Sequence, residues 1–171
     1  MAVGLLLGIV LGGCQSRVDP DTPPEIRYGE DICDQCRMII SEPRYAAAYV
    51  TRQSLTRRFD DIGDLLLYHA RHREDVLAFW VHDYETEEWL KAPQAFYVMS
   101  PELHTPMAHG IVALRERARA AVLAAEMHGR VFTFVELQQY FSQRPATAHS
   151  HQHTEAAMTP HQRGSREGTR K

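Results

Sequence analysis

What most limits the fold is how little of this chain can pack. Residues 15–31 hold Pro20, Pro23 and Pro24 among acidic side chains, and everything after Phe141 is polar, without an aromatic residue. Segments of that composition bury too little apolar surface to offset the entropy lost on ordering them. The packable body is therefore about 110 residues, Asp31 to Phe141: one domain, or two very small units. An apolar fraction of 44% supplies a core for a body of that size. A net charge of −3 argues against a protein that neutralises phosphates, so no nucleic-acid partner is expected.

Within the body, short apolar runs alternate with capped helical stretches. Arg44–Thr51 reads as a strand, and Asp60-Asp61 caps a helix over Ile62–Arg71. Val76–Tyr84 is a second strand, Ala95–Met99 a third and Ile111–Leu114 a fourth. Ala118–Glu126 suits a helix by its alanines, with a strand as the alternative, and Thr133 caps a final helix over Phe134–Phe141. Ala48, Phe59 and Tyr68 recur 73 positions later as Ala121, Phe132 and Phe141, which suggests a duplicated small α+β unit. In that alignment Met38 and Met107 precede corresponding strands.

The N-terminus reads MAVGLLLGIVLGGCQS. Val3–Leu11 suits a signal-peptide core and is too short to span a bilayer. Leu11-Gly12-Gly13-Cys14 resembles a bacterial lipobox, so cleavage before Cys14 and acylation there are expected, although the first residues carry no Lys or Arg. Several acyl chains anchor firmly, since each buried CH₂ contributes about 0.8 kcal/mol. Gln15 after the cysteine favours the outer membrane, facing the periplasm.

The other two cysteines, Cys33 and Cys36, form a C-x-x-C followed by Met38. In an exported protein a disulfide is the first reading, but so small a loop would constrain little chain entropy. A thioredoxin-like pair would begin a helix after a strand, whereas this one follows a proline-bearing segment and precedes a strand. A zinc site would want a second closely spaced ligand pair, and no second C-x-x-C exists. Thiolate and thioether donors suit Cu(I), which accepts low coordination numbers. Cys33, Cys36 and Met38 offer three soft donors within six residues, and Met107 adds a thioether in a Pro-fixed turn beside His109. His109 reads as a surface turn residue, and Met99 and Met127 read as core filler. Trp80 and Trp89 read as packing residues that can also mark a docking surface. His149, His151 and His153 alternate in the tail, where a solvated end is the plainer reading and weak divalent-metal binding the other.

The lipobox, C-x-x-C-x-M-x-I, the run Val81–Ala92, the strand Ala95-Phe-Tyr-Val and the Thr-Pro-Met-x-x-Gly turn together resemble the NosL family. The resemblance spans about residues 11–141. It implies two similar ββαβ-type units in tandem, an α+β fold, and a lipid-anchored copper chaperone, not an enzyme. Its cargo would be Cu(I), held by Cys33, Cys36 and Met38 with Met107 from the second half. Its partners would be the accessory ABC-transporter complex of nitrous oxide reductase maturation and, through it, the reductase's copper centres. The expected organisation is a lipoprotein signal peptide at 1–13, a flexible tether at 14–30, and a first half at 31–90 with the C-x-x-C-x-M site. A second half follows at 91–142, then a disordered His-rich tail at 143–171. The alternative function is a periplasmic thiol–disulfide oxidoreductase using the Cys33/Cys36 pair. Hydrolysis has no supporting motif.

Overall fold

The computed structural model describes residues 19–143. Cys14, the signal peptide, and the tail with His149, His151 and His153 lie outside the described residues. The described chain folds as α+β, with two antiparallel sheets and three helices.

In the first sheet β1 (Ala47–Thr51) is central and buried along its whole length. β2 (Thr56–Phe59) and β3 (Val76–His82) pair with it on either side, and β4 (Trp89–Lys91) adds to β3. Three successive alanines, Ala46–Ala48, bring the chain close to its neighbours, and the next position, Tyr49, fills the core against Phe59 and Phe79, each 5.5 Å between ring centroids. Offset and edge-on aromatic pairs of this kind add about 0.5–1.5 kcal/mol to the area they bury. Between β2 and β3 runs α1 (Ile62–His72), which starts at Asp61, whose carboxylate accepts the Gly63 N–H, and stops at Arg73 in the left-handed region.

The second sheet repeats that plan. β5 (Phe96–Met99) is central, with β6 (Ile111–Leu114) and β7 (Arg130–Thr133) antiparallel on its flanks and α2 (Arg117–Glu126) between them in sequence. α3 (Phe134–Ser142) follows, held by a capping box between Thr133 and Glu136. The two ββαβ units thus share one strand order, but not the 73-residue register. α1 starts at 62 and α2 at 117, β3 at 76 and β7 at 130, and β1 at 47 and β5 at 96, so matched elements lie 49–55 positions apart. Ala48 and Ala121 belong to a strand and a helix respectively, and Met38 and Met107 are not equivalent positions. Ala118–Glu126 is helical, as its alanines favoured over the strand alternative.

The units share one core. Ile40, Tyr49, Phe59 and Leu65 pack in a single cluster with Tyr97, Ile111, Leu137 and Phe141, while α2 covers a smaller cluster with Val98, Val112 and Leu114. Main-chain bonding also crosses over: the Tyr84 N–H donates to Ala113 O at 2.8 Å, and Asp83 receives the Arg115 N–H at 2.7 Å. A division at residue 90 falls inside β4.

Residues 19–30 were expected as free tether, yet they lie along the body. Ile26 is buried, the Arg58 guanidinium donates to Glu25 O, and Lys91 bonds Pro20 O and Asp21. The firmest hold is His82, buried on β3 and 3.6 Å from Trp89 between ring centroids. Its Nδ1–H donates to Ala46 O, so Nε2 accepts the Tyr28 hydroxyl, both at 3.1 Å.

Candidate metal site

Cys33 and Cys36 occupy a tight turn set on a two-strand base. The Cys33 N–H donates to Met38 O, Ile40 N–H to Asp31 O, and Gly29 N–H to Ile40 O. Arg37 closes the turn with φ +67, a conformation that a non-glycine residue takes at some cost, and the Cys36 N–H points at Cys33 Sγ from 3.5 Å. Reciprocal bonds between Asp34 and Arg58 dock this turn on β2. The sequence accounts for the fold of the turn: Ile40 anchors it in the core, while Ile32 and Ile39 pair across its base and face outward.

Below the turn lies the start of α1. Cys33 is fully buried, and its Sγ–H donates to Asp64 Oδ2 at 3.3 Å. Ligand atoms of Cys33, Cys36 and Asp64 all lie within 4.8 Å of one another, the sole grouping of this kind among the described residues. Both cysteines are free thiols. Burial pushes both upward, and for Cys36 the hydrogen bond to Asp64 adds to that.

The second unit closes the site from the other side. His109 Nε2–H donates to Asp64 Oδ1 at 3.1 Å, with the two side chains only 4% and 3% exposed. A Cβ built on Gly63 would collide with the base of the His109 ring, 2.5 Å from its Cβ and nearer still to Cγ and Cδ2, so the helix approaches this closely because residue 63 is glycine. Asp61 pins the same loop, accepting the Thr105 hydroxyl at 2.6 Å and the Met107 N–H at 3.1 Å, and burial pushes its carboxyl upward.

Of the sequence-derived candidates, the structure brings Cys33 and Cys36 together. Met38 follows them on the rim of the turn, 57% exposed. Met107 is half-buried, with its loop fastened to the start of α1, and it lines a cavity beside His109. His109 is no surface turn residue: its side chain is enclosed and paired. The zinc reading must also answer an H-x₄-H spacing, His104 to His109, in the body. His109 is committed to Asp64, while His104 stands exposed at the far end of the loop. Asp64 was missed from sequence. Its one signal is an acidic residue amid the apolar "IGDLLL" at a helix start, where a capping role accounts for acidity equally well.

A sequence profile described as NosL matches residues 26–141, well over half of the chain. The chain belongs to the NosL family. In structure it is similar to the copper chaperone NosL from Shewanella denitrificans, with a TM-score of 0.60 at 17% identity over 69% of this chain and 96% of that one. No curated protein sequence matches. The thiol turn, Asp64 and the 105–110 loop all lie inside the region that matches NosL.

Proposed function

We propose that this chain is a Cu(I) metallochaperone that supplies copper for assembly of the copper centres of nitrous oxide reductase. The observation that carries the reading is the pair of free thiols, Cys33 buried and Cys36 half-buried, held within 4.8 Å of each other and of Asp64, in a NosL-family chain. The donor set fits a soft monovalent ion: two thiols that become thiolates on binding, with the Met38 thioether at the rim. Asp64 is a hard oxygen donor that suits Cu(I) poorly. Its place is to receive the Cys33 S–H and, with His109, to fix that sulfur. Met107 belongs to the proposed set through its loop, which Asp61 fastens against the same helix.

Because burial keeps the thiols protonated, copper must displace a proton from each cysteine it binds. Release then proceeds by substitution, a partner's donor entering before a cysteine leaves. Met38 is the exposed donor and marks the side of approach. The partner in this reading is the accessory ABC-transporter complex that passes copper on to the reductase. Acylation at Cys14 would hold the carrier on the outer membrane, facing the periplasm, and that part rests on the lipobox alone. The oxidoreductase alternative is disfavoured by the thiols themselves, since a redox nucleophile needs a lowered pKa and burial here acts in the opposite direction.

The test is a Cu(I) competition titration against a chromophoric chelator. Cys33→Ser and Cys36→Ser should each abolish tight binding, and unchanged affinity would exclude the assignment. Loss of the gene should then yield reductase short of copper; a fully metallated reductase would restrict the carrier to another client.

A further inference from the structure

The loop that joins β5 to β6 surrounds a cavity of about 470 Å³, walled by Met99, Ser100, Leu103, His104, Thr105, Met107, His109 and Tyr140 among others. It adjoins the cysteine site through one side chain: His109, on its wall, also donates to Asp64. Two thioethers and two imidazoles line this space, and no carboxylate does. Met99 is the informative member. It lies last in the central strand β5, and strand alternation turns it with Tyr97 toward the shared core, yet it is only half-buried because the cavity opens beside it. A core methionine would be covered. His104 is exposed at the mouth and makes no hydrogen bond or ion pair among the described residues.

We propose that this cavity is a second, weaker site for a soft monovalent metal, with Met99 and His104 as its own donors and Met107 between it and the cysteines. The inference rests on the Cu(I) reading above and assigns that cargo a staging position. Thioethers have no proton to lose, so the metal can lodge here without deprotonating a ligand, whereas the cysteine pair must shed protons. Passage inward exchanges thioether for thiolate: each new S–Cu bond replaces an S–H bond, the proton goes to solvent, and copper stays in the +1 state. Outward passage is the reverse, and a partner at the mouth would meet copper on ligands it can displace.

The experiment uses the full chain and Ag(I), a redox-inert stand-in, read by chelator competition and by NMR of ¹³C-labelled methionine methyl groups. The expected result is two equivalents, one tight and one weak, with the Met99 methyl resonance moving on the second. In the double variant Met99→Leu/His104→Ala the weak equivalent should lose about tenfold or more in affinity. The tight one should stay within about twofold, as expected for independent sites. Leu conserves volume, and the retained tight site confirms that the variant is folded. In Cys33→Ser/Cys36→Ser the tight equivalent should vanish while Ag(I) still moves the Met99 methyl. A single equivalent in the native chain, or a second one indifferent to Met99→Leu/His104→Ala, overturns the staging site and leaves the cysteine reading standing. Absence of the tight equivalent overturns both.

Discussion

Gly63→Ala separates this account from a simple helix-propensity argument because the two predict opposite signs. In an exposed helix interior, replacing Gly by Ala gains about 1 kcal/mol. Here the added methyl would collide with the His109 ring at its rigid near end and not at a movable tip. Overpacking of that kind costs about 1–3 kcal/mol. If the ring is driven off Asp64, a buried charge-bearing pair also loses its hydrogen bond, a further cost of about 1–3 kcal/mol. Set against the propensity gain, the net is a loss of roughly 2 kcal/mol or more. For a body of this size that lowers the melting temperature by about 6–10 °C. Thermal unfolding followed by circular dichroism would measure it, with His109→Ala as partner in a double-mutant cycle. The clash disappears when the ring is gone, so the double variant should be less destabilised than the sum of the two singles by about 1 kcal/mol. A Gly63→Ala protein as stable as the parent, or more so, would refute the packing of α1 against the 105–110 loop.

Asp61→Ala removes the shared acceptor for Gly63 N–H, Thr105 O–H and Met107 N–H and should destabilise by about 3 kcal/mol or more, each buried donor left unmet costing about 1–3 kcal/mol. Urea unfolding checks it, and a loss below 1 kcal/mol would contradict the pinning. Copper affinity should climb with pH, by about a hundredfold per unit while both thiols must ionise. Chelator titrations between about pH 6.5 and 8.5 would show it, and a flat profile would argue against thiolate ligands. Burial holds His82 below the ordinary imidazole value of about 6.5, so its stabilising contribution is complete above that pH and is lost as pH falls toward the folded value. Ring-proton NMR should give a midpoint below that of a free imidazole; one at or above it would place His82 in solvent and free the Tyr28 segment.

How far the sequence carried the fold depends on where each element packs. β1, β3, β5 and β6 have at least one apolar face, and α1 and α3 carry cap residues, so pattern and punctuation located all six. β2 did not announce itself because "TRRF" is polar. Its arginines are strand residues held by charge, Arg57 on Glu74 at 2.5 Å and Arg58 on Asp31 at 3.3 Å. The 73-residue echo matched β2–α1 to β7–α3, two pieces that share a local strand–cap–helix pattern but occupy different places in their units. Local pattern cannot tell those apart; sheet order can. At the site, spacing gave the cysteine pair, since ligands close in sequence share a turn. Asp64 and His109 come from 31 and 76 positions beyond Cys33: docking of the cysteine turn on β2, next to α1, brings Asp64 there, and packing of the second unit on the shared core brings His109. His109 was misplaced for the same reason: a Pro- and Gly-flanked turn reads as surface unless a helix is known to lie over it.

The central claim is that Cys33 and Cys36 hold Cu(I). X-ray absorption at the copper edge of the loaded full chain, taken alongside Cys33→Ser and Cys36→Ser, tests it most directly. The account predicts a reduced copper ion in a sulfur-dominated shell that loses sulfur in each variant. A shell of nitrogen and oxygen donors, or one that neither substitution changes, would contradict it.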